Sequence, residues 1–420
     1  MTATGGTVPP KTETPNLGAR EIRFGEADCW SSRRNYLDWT TVQSWDDTDG
    51  MHRLTLSPRI RASAYYESTV AAGLTDISVY NKMAMPTSYG DLKAEYDRLI
   101  EGVAIWDVSV QRQVEIFGPD AQIAAQYFTA RDISKQAVGQ GKYVAMCDYN
   151  GYILNDPVLL KVAEDRFWFS IADHDMLLWC KGIAAEKGWH VEISEPDVSP
   201  LAVQGPKAEN LIADLFGEDI RSMRYFWSIE TNLDGIPLHL VRAGWSKQGG
   251  FELWLTDGSR GNELWDKVVD AGAKYDIGPG APNHVERVES GLLSFGGDHT
   301  QKSNPFEVGM GRYVDTDTDV DYIGKAALQA VVAAGGPERL FVGFNIDIAL
   351  QEAWPLIERT PVTHDGEEVG VLSAVVHSHR LDRTIGLGQV NRAVFEAGAA
   401  VAVQTPDGTA PATMQELPFI

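Results

Sequence analysis

The chain has 420 residues, 44% hydrophobic and 23% charged, the make-up of a globular protein of about two or three domains. A formal net charge of −23 excludes nucleic acid as an expected partner, and an anionic ligand would need local Lys or Arg to offset the field. No apolar run approaches the ~18 residues of a membrane span, and the three scattered cysteines, Cys29, Cys147 and Cys180, include no CxxC pair, which argues against a disulfide framework and fits a reducing cytoplasm.

In chain order, residues 1–18 are polar, rich in Thr, Pro and Gly, and lack the basic start and apolar core of a secretion signal, so they read as a disordered lead-in. Residues 19–57 carry Trp30, Trp39 and Trp45 amid dense charge. Aromatics of that size predict packing against the body of the protein, or a cover over an interface or a site mouth. From Arg59 onward the punctuation is regular. Residues 112–117 alternate as a strand, and Gly118-Pro119 then opens a helix through Phe128, Pro being suited to the first helical position. The device recurs at Leu201-Ala-Val-Gln204 and Gly205-Pro206. The helix that follows carries Ala208, Leu211, Ile212, Leu215 and Phe216 on one stripe. Two copies hint at two related α+β units.

Residues 262–271 and 282–293 also predict helices. In the second, Glu286 and Glu289 flank Arg287 and predict surface or internal ion pairs. The Ala- and Gly-rich stretch 327–336 reads as a domain boundary. Beyond it, Phe341-Val-Gly-Phe344, Val369-Gly-Val-Leu372, Ile385-Gly-Leu-Gly388 and Val401-Ala-Val403 predict short strands. Turn signals at His364-Asp-Gly and Pro406-Asp-Gly separate them, as in a small β-barrel or sandwich.

The usual catalytic signatures are missing. There is no G-x-G-x-x-G and no P-loop, and Gly244-Trp-Ser-Lys-Gln-Gly249 is one residue too long for a nucleophile elbow. His377-Ser-His379 has no companion carboxylate spacing, so it reads as strand or loop histidines and no metal is expected. Two acids stand out. Asp156 sits in Gly151-Tyr-Ile-Leu-Asn-Asp-Pro-Val-Leu-Leu160, an apolar run where a carboxylate needs a partner or a ligand; a satisfied turn aspartate gives the same pattern. Glu252 shares a strand face with Trp254, while Phe251, Leu253 and Leu255 take the other. That predicts either a pocket wall or ordinary solvent-facing alternation. As a pocket wall, Glu252 would accept two parallel N–H bonds from a planar donor.

At these residues the sequence resembles the tetrahydrofolate-dependent aminomethyltransferases, the glycine cleavage T-protein and its relatives. Matching pieces include Ile105-Trp-Asp-Val108, Gly118-Pro-Asp-Ala121, Gly151-Tyr-Ile-Leu-Asn-Asp156, Gln204-Gly-Pro-Lys-Ala208, Glu286-Arg-Val-Glu-Ser-Gly-Leu292 and Tyr322-Ile-Gly-Lys-Ala-Ala-Leu328. Within the family it is most similar to the dimethylsulfoniopropionate demethylase branch. Here the pieces are Val79-Tyr-Asn-Lys-Met83, Asn155-Asp-Pro-Val-Leu-Leu160, Ser170-Ile-Ala-Asp173, Gly244-Trp-Ser-Lys-Gln-Gly-Gly-Phe-Glu252 and Leu417-Pro-Phe-Ile420. Glycine-cleavage enzymes usually read Gly-Tyr-Thr-Gly-Glu-Asp-Gly near 244 and Gly-Leu-Gly-Ala-Arg-Asp where this chain has Gly278-Pro-Gly-Ala-Pro-Asn283. Both departures argue against transfer of a lipoyl-bound aminomethyl group.

The resemblance implies a three-lobed α+β cloverleaf around a central folate channel. Its parts are an N-terminal extension (1–58), a folate-binding region of two interleaved lobes (59–335) and a C-terminal β-barrel (336–420). It implies tetrahydrofolate as cofactor, with Asp156 as the catalytic-site carboxylate beside the reacting nitrogens, Tyr143 near the pterin, and Glu252 on the pterin's amino edge. The expected reaction is methyl transfer from dimethylsulfoniopropionate to N5 of tetrahydrofolate. Trp254, Phe226 and Trp227 are the expected donor-lining aromatics, with core packing as the plainer role for each. Asp156 is expected to orient the folate and stabilise its proton-bearing form, not to act as an obligatory base. An O- or N-demethylase of a methoxy-aromatic or methylated amine, or a non-enzymatic folate-binding module, stays open. The expected partner is a small-molecule methyl donor, with neither nucleic acid nor membrane, in a cytoplasmic protein for which a homodimer is allowed.

Overall fold

The structure, a computed structural model, describes residues 59–349, 359–405 and 408–420. The lead-in, the tryptophan-bearing segment, Cys29 and the turn signal at Pro406 lie outside the described residues.

Among the described residues two sheets and a barrel carry the fold. The first sheet runs, in spatial order, Ser228–Leu233, Ile236–Val241, Gly250–Leu255, Ser199–Gln204, Val103–Asp107 and Ile277–Pro279. Its last pair is parallel and the others antiparallel. Phe251, Leu253 and Leu255 turn one face of it onto Leu211, Ile212, Leu264 and Val268, from the helices Ala208–Phe216 and Gly261–Gly272. The second sheet runs Glu192–Ser194, Gln113–Phe117, Arg166–Ser170, Val158–Ala163 and Gly141–Tyr143. It buries Val114, Ile116, Phe167 and Phe169 against the helices Ala121–Phe128 and Met176–Lys187.

The repeated Gly-Pro device falls once in each sheet's lobe. Gly118 and Gly205 have φ of 134° and 124°, and a Cβ on them would lie 2.6 Å from the His190 carbonyl and 2.5 Å from the Gly102 carbonyl. Only glycine permits that approach of strand end to neighbouring backbone. The prolines sit just outside the helices rather than at their first turn, since Asp120 and Lys207 occupy the cap positions.

The helix expected over 282–293 is shorter, His284–Glu289. Asn283 caps it by accepting the Glu286 N–H at 3.0 Å, and Gly291 turns the chain left-handed just beyond. Its charges point inward. Arg287 pairs with Asp298 at 2.8 Å, while Glu289 accepts from Ser378, Tyr96 and Arg380, all with buried carboxylates. The bonds of Glu289 with Ser378 and Arg380 tie the α+β region to the barrel. The stretch 327–336 is mostly helical, within Lys325–Ala333, with Leu328 buried; the helix ends at Ala333, just before Gly335-Gly336. The barrel then closes in the order Arg339–Ile346, Arg383–Asn391, Glu367–Ser378, Thr360–His364, Ala400–Thr405 and Gly408–Gln415.

Candidate active site

Asp156 follows the strand Ile153–Asn155 and precedes Val158–Ala163. Tyr143 stands opposite Val158 in the sheet register, so its ring comes over the Asn155-Asp156-Pro157 corner. Its hydroxyl donates to Asp156 Oδ2 at 2.6 Å. Burial pushes the Asp156 carboxyl up to about 7, against the Tyr143 hydrogen bond, and the nearby Asp298 charge adds to the rise. Burial and the Asp156 charge keep Tyr143 protonated, hence a donor. Two rings unanticipated from sequence complete this end. Tyr313 meets Tyr143 edge-on with centroids 5.1 Å apart, and Arg131 lies over the Tyr313 ring at 5.3 Å. Tyr80 feels both Asp156 and Asp173. It belongs to the hairpin Asp76–Tyr80/Met83–Ser88, whose two turn residues, Asn81 and Lys82, both have positive φ. Asn81 anchors that tip, its side chain donating to the Val110 and Ala172 carbonyls at 3.0 Å each.

Glu252 lies mid-strand in Gly250–Leu255, only 8% exposed. The alternation is therefore not that of a solvent-facing strand. Trp254 Nε1 donates to Glu252 Oε2 at 2.8 Å. Burial raises the Glu252 carboxyl, and the indole bond opposes that. Trp254 itself is 1% exposed, its ring stacked on Trp168 with centroids 6.3 Å apart and planes 29° from parallel. The tryptophan expected to face a cation is thus packed into the cluster of Leu160, Val198 and Val241.

Phe226 packs partly against that same cluster and has φ of 61°, a strained value for a bulky side chain. Its backbone is held on both sides: its N–H donates to the Arg242 carbonyl in the first lobe, and its carbonyl accepts from Gly141 in the second. Trp227 bridges to Gln140 and lines a separate cavity of about 340 Å³ with Met223, Arg224 and Ile229. Tyr225, also unanticipated, is 53% exposed, with its ring 4.4 Å from Phe226. Burial pushes its hydroxyl up to about 12, with help from Glu252 and Tyr313. Tyr313 acts in the same way on Tyr143. Tyr313 therefore lies within electrostatic reach of both Tyr143 and Tyr225. Tyr80 lay inside a motif already quoted, whereas Tyr225 and Tyr313 carried no local signal.

His377 and His379 lie 5.6 Å apart, with His379 against Tyr96. No group of three or more His, Cys, Asp or Glu suited to a metal occurs among the described residues. Cys147 and Cys180 are buried thiols pushed up by burial.

The family model for the GCVT N-terminal domain matches residues 65–318, and that for the glycine cleavage T-protein C-terminal barrel domain matches 339–420. The chain belongs to the glycine cleavage T-protein family. It is 42% identical over 364 residues to "Dimethylsulfoniopropionate demethylase DmdA" of Ruegeria pomeroyi, covering 86% of this chain and 97% of that protein. An aminomethyltransferase of Herpetosiphon aurantiacus is 30% identical over 344 residues, 80% of this chain and 91% of that one. The crystal structure of glycine cleavage system aminomethyltransferase T from Bartonella henselae shares the fold, with TM-score 0.75 and 21% identity over 86% of this chain and 98% of that one. Family membership makes the chain an enzyme, a tetrahydrofolate-dependent methyltransferase. No helix among the described residues is long and apolar enough to cross a membrane.

The residues fit a reduced folate. Glu252 keeps one oxygen without a hydrogen bond among the described residues, behind an indole that fixes the other. Asp156 likewise has only one oxygen engaged by a side chain. Tyr143 and Tyr313 stand at Asp156, and Tyr225 lies within electrostatic reach of Glu252, rings whose flat faces suit a flat ligand.

Proposed function

We propose that this enzyme moves a methyl group from dimethylsulfoniopropionate to N5 of tetrahydrofolate, giving 5-methyltetrahydrofolate and methylthiopropionate. The observation that carries this is the 42% identity spanning 97% of a dimethylsulfoniopropionate demethylase. In the balanced reaction the methyl–sulfur bond breaks with its electron pair left on sulfur, a methyl–nitrogen bond forms, and the nitrogen's proton is released. Bound tetrahydrofolate supplies the nucleophilic nitrogen.

The protein's part is alignment and exclusion of water, because a sulfonium already makes its methyl a good electrophile. Glu252 would hold the amino-bearing edge of the pterin with its open oxygen through a charge-assisted bond. Trp254 holds Glu252 in the accepting geometry, a role that suits its packed ring better than contact with the donor. Tyr143 aims the Asp156 carboxylate, and Asp156 orients the reacting nitrogen and stabilises its protonated form after the methyl arrives. With its carboxyl near 7, Asp156 can accept that proton or leave it to water. Phe226 and Trp227 stay assigned to lining near the join of the lobes.

The test is incubation of the enzyme with tetrahydrofolate and dimethylsulfoniopropionate, with a methoxy-aromatic and a methylated amine as parallel donors. Formation of 5-methyltetrahydrofolate from the sulfonium in preference to the others is expected. Product from the methoxy or amine donor alone would overturn the proposal.

A further inference from the structure

A second space is walled by residues hydrogen-bonded to the segment just before Asp156. It is a cavity of about 310 Å³ bordered by Asp173, His174, Phe295, His299 and Arg359, at the small end of the roughly 300–1,000 Å³ usual for ligand sites. Its wall is fastened to the residues just before Asp156. His174 Nδ1 meets the Leu154 carbonyl at 2.9 Å. The Asn155 side chain accepts from the Ala172 N–H at 2.9 Å and donates back to the Ala172 carbonyl at 3.2 Å. The Tyr80 hydroxyl feels Asp156 and Asp173 together, so the cavity's acidic side and the Asp156 end share a neighbour.

The lining is chemically divided. His299 is 2% exposed. Its Nδ1 faces the Thr300 carbonyl at 3.3 Å, which puts the ring proton there and a lone pair on Nε2. That Nε2 is buried and has no partner among the described residues. Phe295 stands between the imidazoles, its centroid 4.9 Å from that of His299 and 5.6 Å from that of His174. Asp173 brings a carboxylate, with Oδ1 accepting the Asn81 N–H at 2.6 Å. Arg359 brings the opposite charge. Its Nε and Nη2 hold the carbonyls of Gly296, Gly297 and His299, while Nη1 makes no hydrogen bond among the described residues. A carboxylate, an aromatic face, a neutral imidazole and a guanidinium complement a small molecule with a cationic and an anionic end.

We propose that this cavity seats the methyl donor as a zwitterion, its cationic centre toward Asp173, Phe295 and His299 and its carboxylate toward Arg359. The inference rests on the demethylase assignment above. A methyl group passing to a nitrogen attended by Asp156 needs a seat close to it, and this cavity is walled by His174, which is tied to Leu154 and Asn155. Burial keeps the His299 imidazole neutral, so the ring adds no positive charge beside the donor's cationic centre.

The test is two-substrate steady-state kinetics on the full chain. With Asp173→Asn, and separately with His299→Phe, the KM for dimethylsulfoniopropionate should rise about tenfold, the order expected for one charge or acceptor contact, while the KM for tetrahydrofolate stays within about twofold. Trimethylsulfonium, which lacks the carboxylate, should be the poorer donor for the wild type, and Arg359→Gln should erase that preference. A purely structural role for Arg359 would lower turnover of both donors and leave their ratio unchanged, which overturns its assignment. If Arg359→Gln fails to fold, the Asp173 and His299 variants decide. An unmoved donor KM in both, with the wild type active, overturns the seat alone. No sulfonium turnover by the wild type overturns the demethylase assignment and the seat with it.

Discussion

Asp156 and Glu252 are both carboxylates raised by burial, yet their surroundings hold them in opposite ways. Glu252 is gripped by an indole N–H, which can only donate, on a ring locked by stacking against Trp168. That arrangement keeps Glu252 as a fixed acceptor. Asp156 is held by the Tyr143 hydroxyl, which can donate or accept, among the rings of Tyr80 and Tyr313 and with the Asp298 charge nearby. Its carboxyl sits near 7, where a proton can come and go. The difference teaches that one end is built to bind and the other to respond to charge.

The sharpest way to break that comparison is to remove each acid in turn. Asp156→Ala should lower kcat about 100-fold or more, the usual scale for a misplaced or missing proton-handling group, with little change in folate affinity measured by titration. Glu252→Ala should do the reverse. Its folate Kd should rise roughly 10- to 100-fold, as expected for losing a charge-assisted bond of about 1.5–3 kcal/mol, while kcat at saturating folate is largely kept. Equal effects on kcat and Kd in both variants would erase the division of labour.

A subtler change tests the grip on Glu252. Trp254→Phe preserves stacking on Trp168 but strands a buried carboxylate oxygen, so folate affinity should weaken about tenfold, read by the same titration. At the other end, Tyr143→Phe removes a bond that favours the charged form of Asp156. The acid limb of the kcat–pH profile, expected near pH 7 in the wild type, should then move upward by up to about one unit. Stability gives a further sign. The folded Asp156 carboxyl lies above its ordinary 3.8, so the folded state holds the extra proton between about 4 and 7 and loses stability as pH rises through that window. Asp156→Asn should therefore raise Tm at pH 8 and not at pH 4, a gain on the order of 1 kcal/mol after allowance for the group's part exposure.

The Gly-Pro device was legible in sequence because it combines a steric need with a residue that meets it, and it fell once in each lobe. The barrel strands with Val, Ile and Phe were legible too. The strands Thr360–His364 and Gly408–Gln415 were not: each contains a proline, and the second buries only Ala410, Ala412 and Met414, a weak apolar signal. The stretch 327–336, which falls between the two family models, is mostly helical, because alanine is the best helix former and Leu328 had a core to enter. At the site, Asp156 and Glu252 were named from their runs and from the resemblance, and Tyr143 from the resemblance alone. Tyr225 and Tyr313 were not, because they arrive from distant parts of the chain and no spacing encodes that meeting. The packed state of Trp254 was also hidden, since strand alternation says which residues share a face and not what covers it.

The central claim is that one reduced pterin spans the two carboxylates, and a crystal structure of the enzyme with tetrahydrofolate tests it most directly. The pterin's amino edge should lie within hydrogen-bond reach of the open oxygen of Glu252, with N5 on the Asp156 side against Tyr143. A folate bound with Glu252 unengaged, or with N5 turned away from Asp156, would contradict it.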